Sequence, residues 1–172
     1  MKYFILESNT TNPLPQVENW FQTVNPRHLN RTYYENIAGI LNLRIQPNPE
    51  TVFPDILTSP CFMVSAEAAR VINLYDKSIP MKRAVLFDVE NRKKASYSIP
   101  ILEEISAAET GPVKETLNES DLAKFSGRHL LKLTGLRKSR IIVSLDLIES
   151  LLRREALGIV LKELEFQTAK NM

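Results

Sequence analysis

Cys61-Phe62-Met63-Val64-Ser65 and Arg140-Ile141-Ile142-Val143-Ser144 are two readings of one local pattern. Each is a short apolar run that ends on a serine and passes into a segment with helical periodicity. After Ser65, Ala68, Val71, Ile72 and Tyr75 recur at helical spacing, and after Ser144 so do Leu147, Ile148, Leu151 and Leu152. A serine hydroxyl at that position accepts from backbone N–H groups of the first turn. Glu67 and Asp146, each two residues further on, place negative charge at the positive end of the helix dipole. Gly158, just past the second periodic segment, reads as the left-handed residue that closes its last carbonyls. The pattern is strand, Ser-capped helix, strand, used twice and too far apart for a solenoid, whose periods run roughly 20 to 50 residues. Duplication and independent convergence both account for it.

Outward from these units the chain is rich in strands. Tyr3 to Leu6 opens it, followed by a turn-forming tract from Ser8 to Pro15. Leu41, Leu43 and Ile45 alternate with polar residues as in a half-buried strand, after a short helix expected over Tyr34 to Ile40. Ala84 to Val89 and Ala95 to Leu102 flank the polar turn Glu90 to Lys94 and predict an antiparallel hairpin. His129 to Leu133 and Arg140 to Val143 predict a second, and Ile159 to Leu161 with Leu164 to Phe166 a terminal strand. The expected fold class is α+β: mixed, mainly antiparallel sheets with the two strand, Ser-capped helix, strand units packed on them. With 172 residues the chain suits one domain, 1–172. Its alternative subdivision is an N-terminal lobe 1–105 and a strand-strand-helix-strand unit 121–166, joined by the polar loop 106–120.

Composition excludes more than it selects. Twenty-two basic and twenty acidic residues leave a formal charge of +2, without the concentrated positive charge of a nucleic-acid binder. The basic clusters at 92–94, 137–140 and 153–154 are short and read as solvated surface. No apolar run is long enough to span a bilayer, and the short apolar run Tyr3 to Leu6 before Glu7 is not expected to act as a signal peptide. A single cysteine, Cys61, allows no internal disulfide and no cysteine-based zinc site, which fits a cytoplasmic location.

Chemistry-bearing patterns are sparse. His28 and His129 are the only histidines, and neither has a partner at metal-ligand spacing, so no metal and no cofactor is expected. His129 at the head of an apolar strand reads as a hydrogen-bonded structural histidine, and Cys61 as buried and inert. Five glycines form no phosphate-cradling loop. Ser65 and Ser144 are explained as caps, and neither sits in a nucleophile elbow. The carboxylate pairs Glu103-Glu104 and Glu163 with Glu165 read as surface solvation. No catalytic residue is nominated.

The string Arg128-His129-Leu130-Leu131-Lys132-Leu133-Thr134-Gly135, followed by Ile141-Ile142-Val143-Ser144, the amphipathic helix and Gly158-Ile159-Val160-Leu161, resembles the end of a bacterial family of immunity proteins of polymorphic toxin systems, immunity family eleven. Pro54-Asp55-Ile56-Leu57 leading to Phe62-Met63-Val64-Ser65 is similar to its central portion, and Tyr3-Phe4-Ile5-Leu6 to its opening. Leu130 stands where the family usually has an aromatic residue. The resemblance implies a cytoplasmic protein that binds and neutralises a cognate toxin protein and catalyses nothing. Its partner-binding anchors would be of the enriched aromatic and arginine types, for which Trp20, Tyr33, Tyr34, Arg137 and Arg140 are the candidates. Two other readings stay open: a small-ligand or regulatory binding module, which a pocket lined by the N-terminal aromatics would favour, and a hydrolase. The hydrolase needs Ser65, Cys61 or Ser144 within hydrogen-bond reach of a histidine.

Overall fold

A computed structural model of the chain describes residues 1–107, 117 and 119–164. Both serines cap as their sequence context requires. The Ala68 N–H donates to Ser65 Oγ at 3.2 Å at the start of helix α2 (Ala66–Tyr75), and the Leu147 N–H donates to Ser144 Oγ at 3.2 Å at the start of α4 (Leu145–Arg153). Such a bond supplies one of the otherwise orphaned N–H groups with an acceptor, a contribution of about 1 kcal/mol.

Among the described residues ten strands form two five-stranded sheets. In sheet one, β1 (Tyr3–Ser8) lies between β10 (Ile159–Glu163) and β9 (Arg140–Ser144), followed by β8 (Leu130–Thr134) and β7 (Glu104–Ser106). Sheet two runs β3 (Ile56–Leu57), β4 (Met63–Val64), β6 (Lys93–Pro100), β5 (Met81–Asp88) and β2 (Ile40–Arg44). All pairs are antiparallel except β2 with β5 and β7 with β8. The fold is α+β with mixed, mainly antiparallel sheets, as expected.

The two serine-capped units occupy equivalent places. β4 and β5 are each antiparallel to β6, so they are parallel to one another and α2 is the crossover between them. β9 and β10 stand in the same relation to β1, with α4 as their crossover. The strand order β3-β4-β6-β5 therefore repeats as β8-β9-β1-β10. The difference lies in the central strand. β6 follows β5 directly through a hairpin, whereas β1 comes from the other end of the chain. The N-terminal strand thus belongs to the sheet built by the C-terminal unit, and sheets and sequence divide the chain differently. Residues 108–116 and 118 of the expected connecting loop lie outside the described residues.

The helices pack together between the sheets. Val71 and Ile72 of α2 and Leu147, Ile148 and Leu151 of α4 share one buried cluster with Leu6 and Val143 of sheet one and Ile56 and Val64 of sheet two. The far face of sheet two is closed by the N-terminal segment through Trp20, Val24 and Ile37. That of sheet one is closed by Phe125, which follows the short helix α3 (Glu119–Lys124) and meets the Tyr3 ring edge-on at 5.4 Å. Trp20 itself opens a four-residue helix, α1 (Trp20–Thr23).

Two local expectations are corrected. Gly158 does not cap α4. The helix closes four residues after Leu151, where the Glu155 N–H donates to Leu152 O and the Ala156 N–H to Leu151 O, with Glu155 itself left-handed at φ 58°. This is the Schellman arrangement, completed by a residue type that gives no signal of it. Gly158, at φ 88°, serves close packing: a Cβ there would lie 2.5 Å from Pro54 Cβ and 3.2 Å from Ile56 O. Over Tyr34 to Ile40 the chain makes one 3-10 turn, Tyr34–Asn36, because β2 claims the chain from Ile40 onward.

Candidate functional site

Alternation along β2 and β5 decides which side chains face outward. Leu41 and Leu43 pair in register with Ala84 and Leu86, and all four are buried toward Trp20. Their neighbours must then point to the opposite face. That face carries Ile40, Asn42 and Arg44 on β2 and Arg83, Val85 and Phe87 on β5, with Ser98, Ser96 and Lys94 opposite them on β6. It is the helix side of sheet two, and α2 packs on it over β4 and β6, with Val64 and Ile56 fully buried in the same cluster. Beyond the helix the face is open. Ile40 is 52% exposed, Arg83, Lys94 and Ser96 are exposed, and Val85 and Phe87 are half-buried. Among the described residues Arg44 pairs with Glu18 at 3.0 Å, while Arg83 and Lys94 make no ion pair. An apolar centre of Ile40, Val85 and Phe87 is therefore edged by three cations. The outer edge of β2 is closed by Asn19, whose side chain accepts from the Arg44 N–H at 2.8 Å and donates to Asn42 O at 3.2 Å, so a partner would meet the face and not the strand edge.

A second feature is a cleft of about 660 Å³ lined by both sheets and by the N-terminal segment. One wall is Leu6, Ile141 and Lys132 of sheet one; the other is Phe62 with Leu57 and Ile99 from the Trp20 side of sheet two. The two walls are tied where Thr58 Oγ1 lies 2.9 Å from Ser8 Oγ and the Thr58 N–H donates to that oxygen at 2.8 Å. Cys61 lines the cleft, half-buried; burial pushes its thiol up to about 12, against the opposing pull of the Lys132 cation. At this pKa the group is a thiol at neutral pH, not a nucleophile.

The five sequence-nominated anchors do not converge. Trp20 is buried at 6% exposure in the core behind sheet two, with one edge on the cleft, so it is no exposed anchor. Tyr33 is 52% exposed beside His28, their rings 6.1 Å apart. Tyr34 is half-buried with the Lys82 ammonium 5.8 Å from its ring. Arg140 is held by Glu7 at 2.9 Å and borders the cleft. Arg137 is exposed and shares with Arg140 a second hollow of about 600 Å³ behind sheet one. The open face of β2, β5 and β6 was not nominated. Its signal is present in Ala84-Val85-Leu86-Phe87, whose apolar residues occupy both faces of a strand and so require either a second cover or an exposed patch.

The serine and histidine geometry is met once. His129 Nδ1 lies 2.8 Å from Ser144 Oγ, with the Tyr75 ring edge-on to the imidazole at 4.8 Å. Ser144 is fully buried and its hydroxyl already accepts from the first turn of α4, so this contact braces the helix start and offers no open path to the serine. The carboxylates read as paired acids are tied up in ion pairs. Arg128 grips Glu103 with two hydrogen bonds of 2.8 Å, Glu104 lies 3.3 Å from Lys132, and Glu163 3.2 Å from Lys2. Glu165 lies outside the described residues. Among the described residues no cluster of three or more His, Cys, Asp or Glu side chains is placed to hold a metal, and no helix is long and apolar enough to cross a membrane.

Searches of protein-family models and of curated proteins match nothing to this chain.

Proposed function

We propose that this protein is a non-enzymatic, cytoplasmic immunity protein that neutralises a bacterial toxin domain by binding it, and that the open face of β2, β5 and β6 is where it binds. The observation that carries the reading is Arg83 and Lys94, which make no ion pair among the described residues, beside exposed Ile40 and half-buried Phe87. Arginine and aromatic side chains around an apolar centre are the composition of interface hot spots. The cations select a partner surface that presents carboxylates, because like charge opposite them is strongly disfavoured. Neutralisation asks for nothing more than a complementary area of about 800 Å² on each partner. The resemblance of the C-terminal unit and of the Pro54 to Ser65 segment to immunity family eleven supports the same role.

The test is co-expression with the product of the adjacent reading frame, with affinity capture and growth as readouts. A stable complex and rescued growth are expected. Arg83→Glu with Lys94→Glu should weaken the complex by about 30-fold or more, the scale of a hot-spot loss, with the fold intact by circular dichroism. Capture without sensitivity to these two residues would move the interface elsewhere. The absence of both toxicity and complex would overturn the immunity role for that pair.

A further inference from the structure

We propose that the cleft lined by both sheets and the N-terminal segment is a binding site for an amphipathic carboxylic acid, its apolar body among the apolar lining residues and its carboxylate at the loop joining β8 and β9. The volume of about 660 Å³ falls in the range of small-ligand sites, roughly 300–1,000 Å³. Its apolar lining is Leu6 and Ile141 of sheet one, Leu57 and Ile99 from the Trp20 side of sheet two, and Phe62 and Leu102. These side chains supply no hydrogen-bonding group, so the buried part of the ligand is hydrocarbon.

Charge is confined to one side. Lys132, Lys138 and Arg140 line the cleft there, against the single carboxylate of Glu7. Glu7 is already shared by Arg140 at 2.9 Å and Lys162 at 3.0 Å, and Lys132 is paired with Glu104 at 3.3 Å. Lys138 is exposed and has no ion pair among the described residues. Among the residues lining the cleft, three cations stand against one carboxylate, which leaves a positive rim beside an apolar lining. An anionic head on an apolar body satisfies both, whereas a neutral lipid leaves the rim unanswered and a free inorganic anion leaves the lining wet. The site uses none of the side chains of the open face.

Trp20, the only tryptophan of the chain, borders the cleft and reports on it directly. The experiment titrates the full chain with decanoate, below its micellar range, following Trp20 fluorescence and heat. Decanol and inorganic phosphate are the controls. Saturable one-site binding of decanoate is expected, with decanol at least about tenfold weaker, about 1.4 kcal/mol, for loss of a charge-assisted contact at the rim. Lys138→Gln, at an exposed loop position, should erase most of the difference between decanoate and decanol. Thr10→Trp, on the exposed rim, should obstruct both, read by calorimetry because it adds a second indole. Equal binding of decanol and decanoate, phosphate binding that matches decanoate, no saturable binding, or full binding by both variants would each overturn the proposal.

Discussion

Asp55 and Leu157 are hydrogen-bonded twice: the Asp55 N–H donates to Leu157 O at 3.0 Å, and the Leu157 N–H donates to Asp55 Oδ2 at 2.6 Å. The other carboxylate oxygen accepts from the Ser65 hydroxyl at 2.6 Å. One side chain therefore joins the cap of α2 to the loop that follows α4, across 102 residues of sequence. Asp55→Ala removes both acceptors and leaves the Ser65 hydroxyl and the Leu157 N–H to find water at a partly buried junction. The expected loss is about 1–3 kcal/mol, the cost of orphaned polar groups. It would be read as a lower urea midpoint at unchanged slope.

The same junction sets opposite signs for two substitutions in one loop. Gly158→Ala places a Cβ 2.5 Å from Pro54 Cβ at a φ of 88° that only glycine adopts freely, and the clash partner is a rigid ring. A loss above about 2 kcal/mol is expected from strain and overpacking together. Glu155→Gly, at φ 58°, relieves the left-handed cost at the residue that closes α4 and should stabilise by up to about 1 kcal/mol. Thermal unfolding of the two variants should straddle the parent.

What was legible in the chain was what is local. The caps at Ser65 and Ser144 follow from a hydroxyl and the next three N–H groups, and the β5–β6 hairpin from alternation on either side of a polar turn. Gly158 was misread because a glycine after a helix usually closes it, while Glu155 carries no mark of its backbone. The placement of β1 beside β9 and β10 joins residues at opposite ends of the chain, and no periodicity encodes that pairing. The burial of Trp20 is not encoded locally for the same reason. Whether Trp20 faces solvent depends on β2 and β5 lying beneath it, and the exposure of Phe87 depends on how far α2 reaches across the sheet.

Acid should weaken this fold partly through Asp88. Its buried carboxyl is pushed up by burial, but the Asn91 side chain and the N–H groups of Asn91, Asn48 and Glu90 together outweigh that and hold it below the usual range. A carboxylate whose folded pKa is depressed binds its proton more readily when unfolded. Its contribution is complete above the unfolded value of about 3.9 and is lost as pH falls through the lower folded value. Glu103, held down by its bond to Arg128, acts in the same direction. Asp88→Asn should lower stability at pH 7 and flatten, without abolishing, the fall in stability between pH 5 and the acid limit. Urea midpoints measured across that range check it; an unchanged acid slope would remove Asp88 from the account.

Cys61 gives the last prediction. Burial raises its thiol to about 12, and the Lys132 cation opposes that rise. An ordinary cysteine titrates near 8.5, so at equal pH the folded chain carries roughly a thousandfold less thiolate, and thiolate is the reacting species. Alkylation by iodoacetamide at pH 8 should be slower than that of a free cysteine by at least about a hundredfold, and should still be rising tenfold per pH unit at pH 10, where a free thiol has levelled off. Lys132→Gln removes the opposing cation, raises the thiol further and slows the reaction again. Urea should abolish both effects together, since each depends on the cleft. Rapid alkylation of the native chain at pH 8 would mean that the cleft opens on the reaction timescale and that the thiol titrates mainly in the open form.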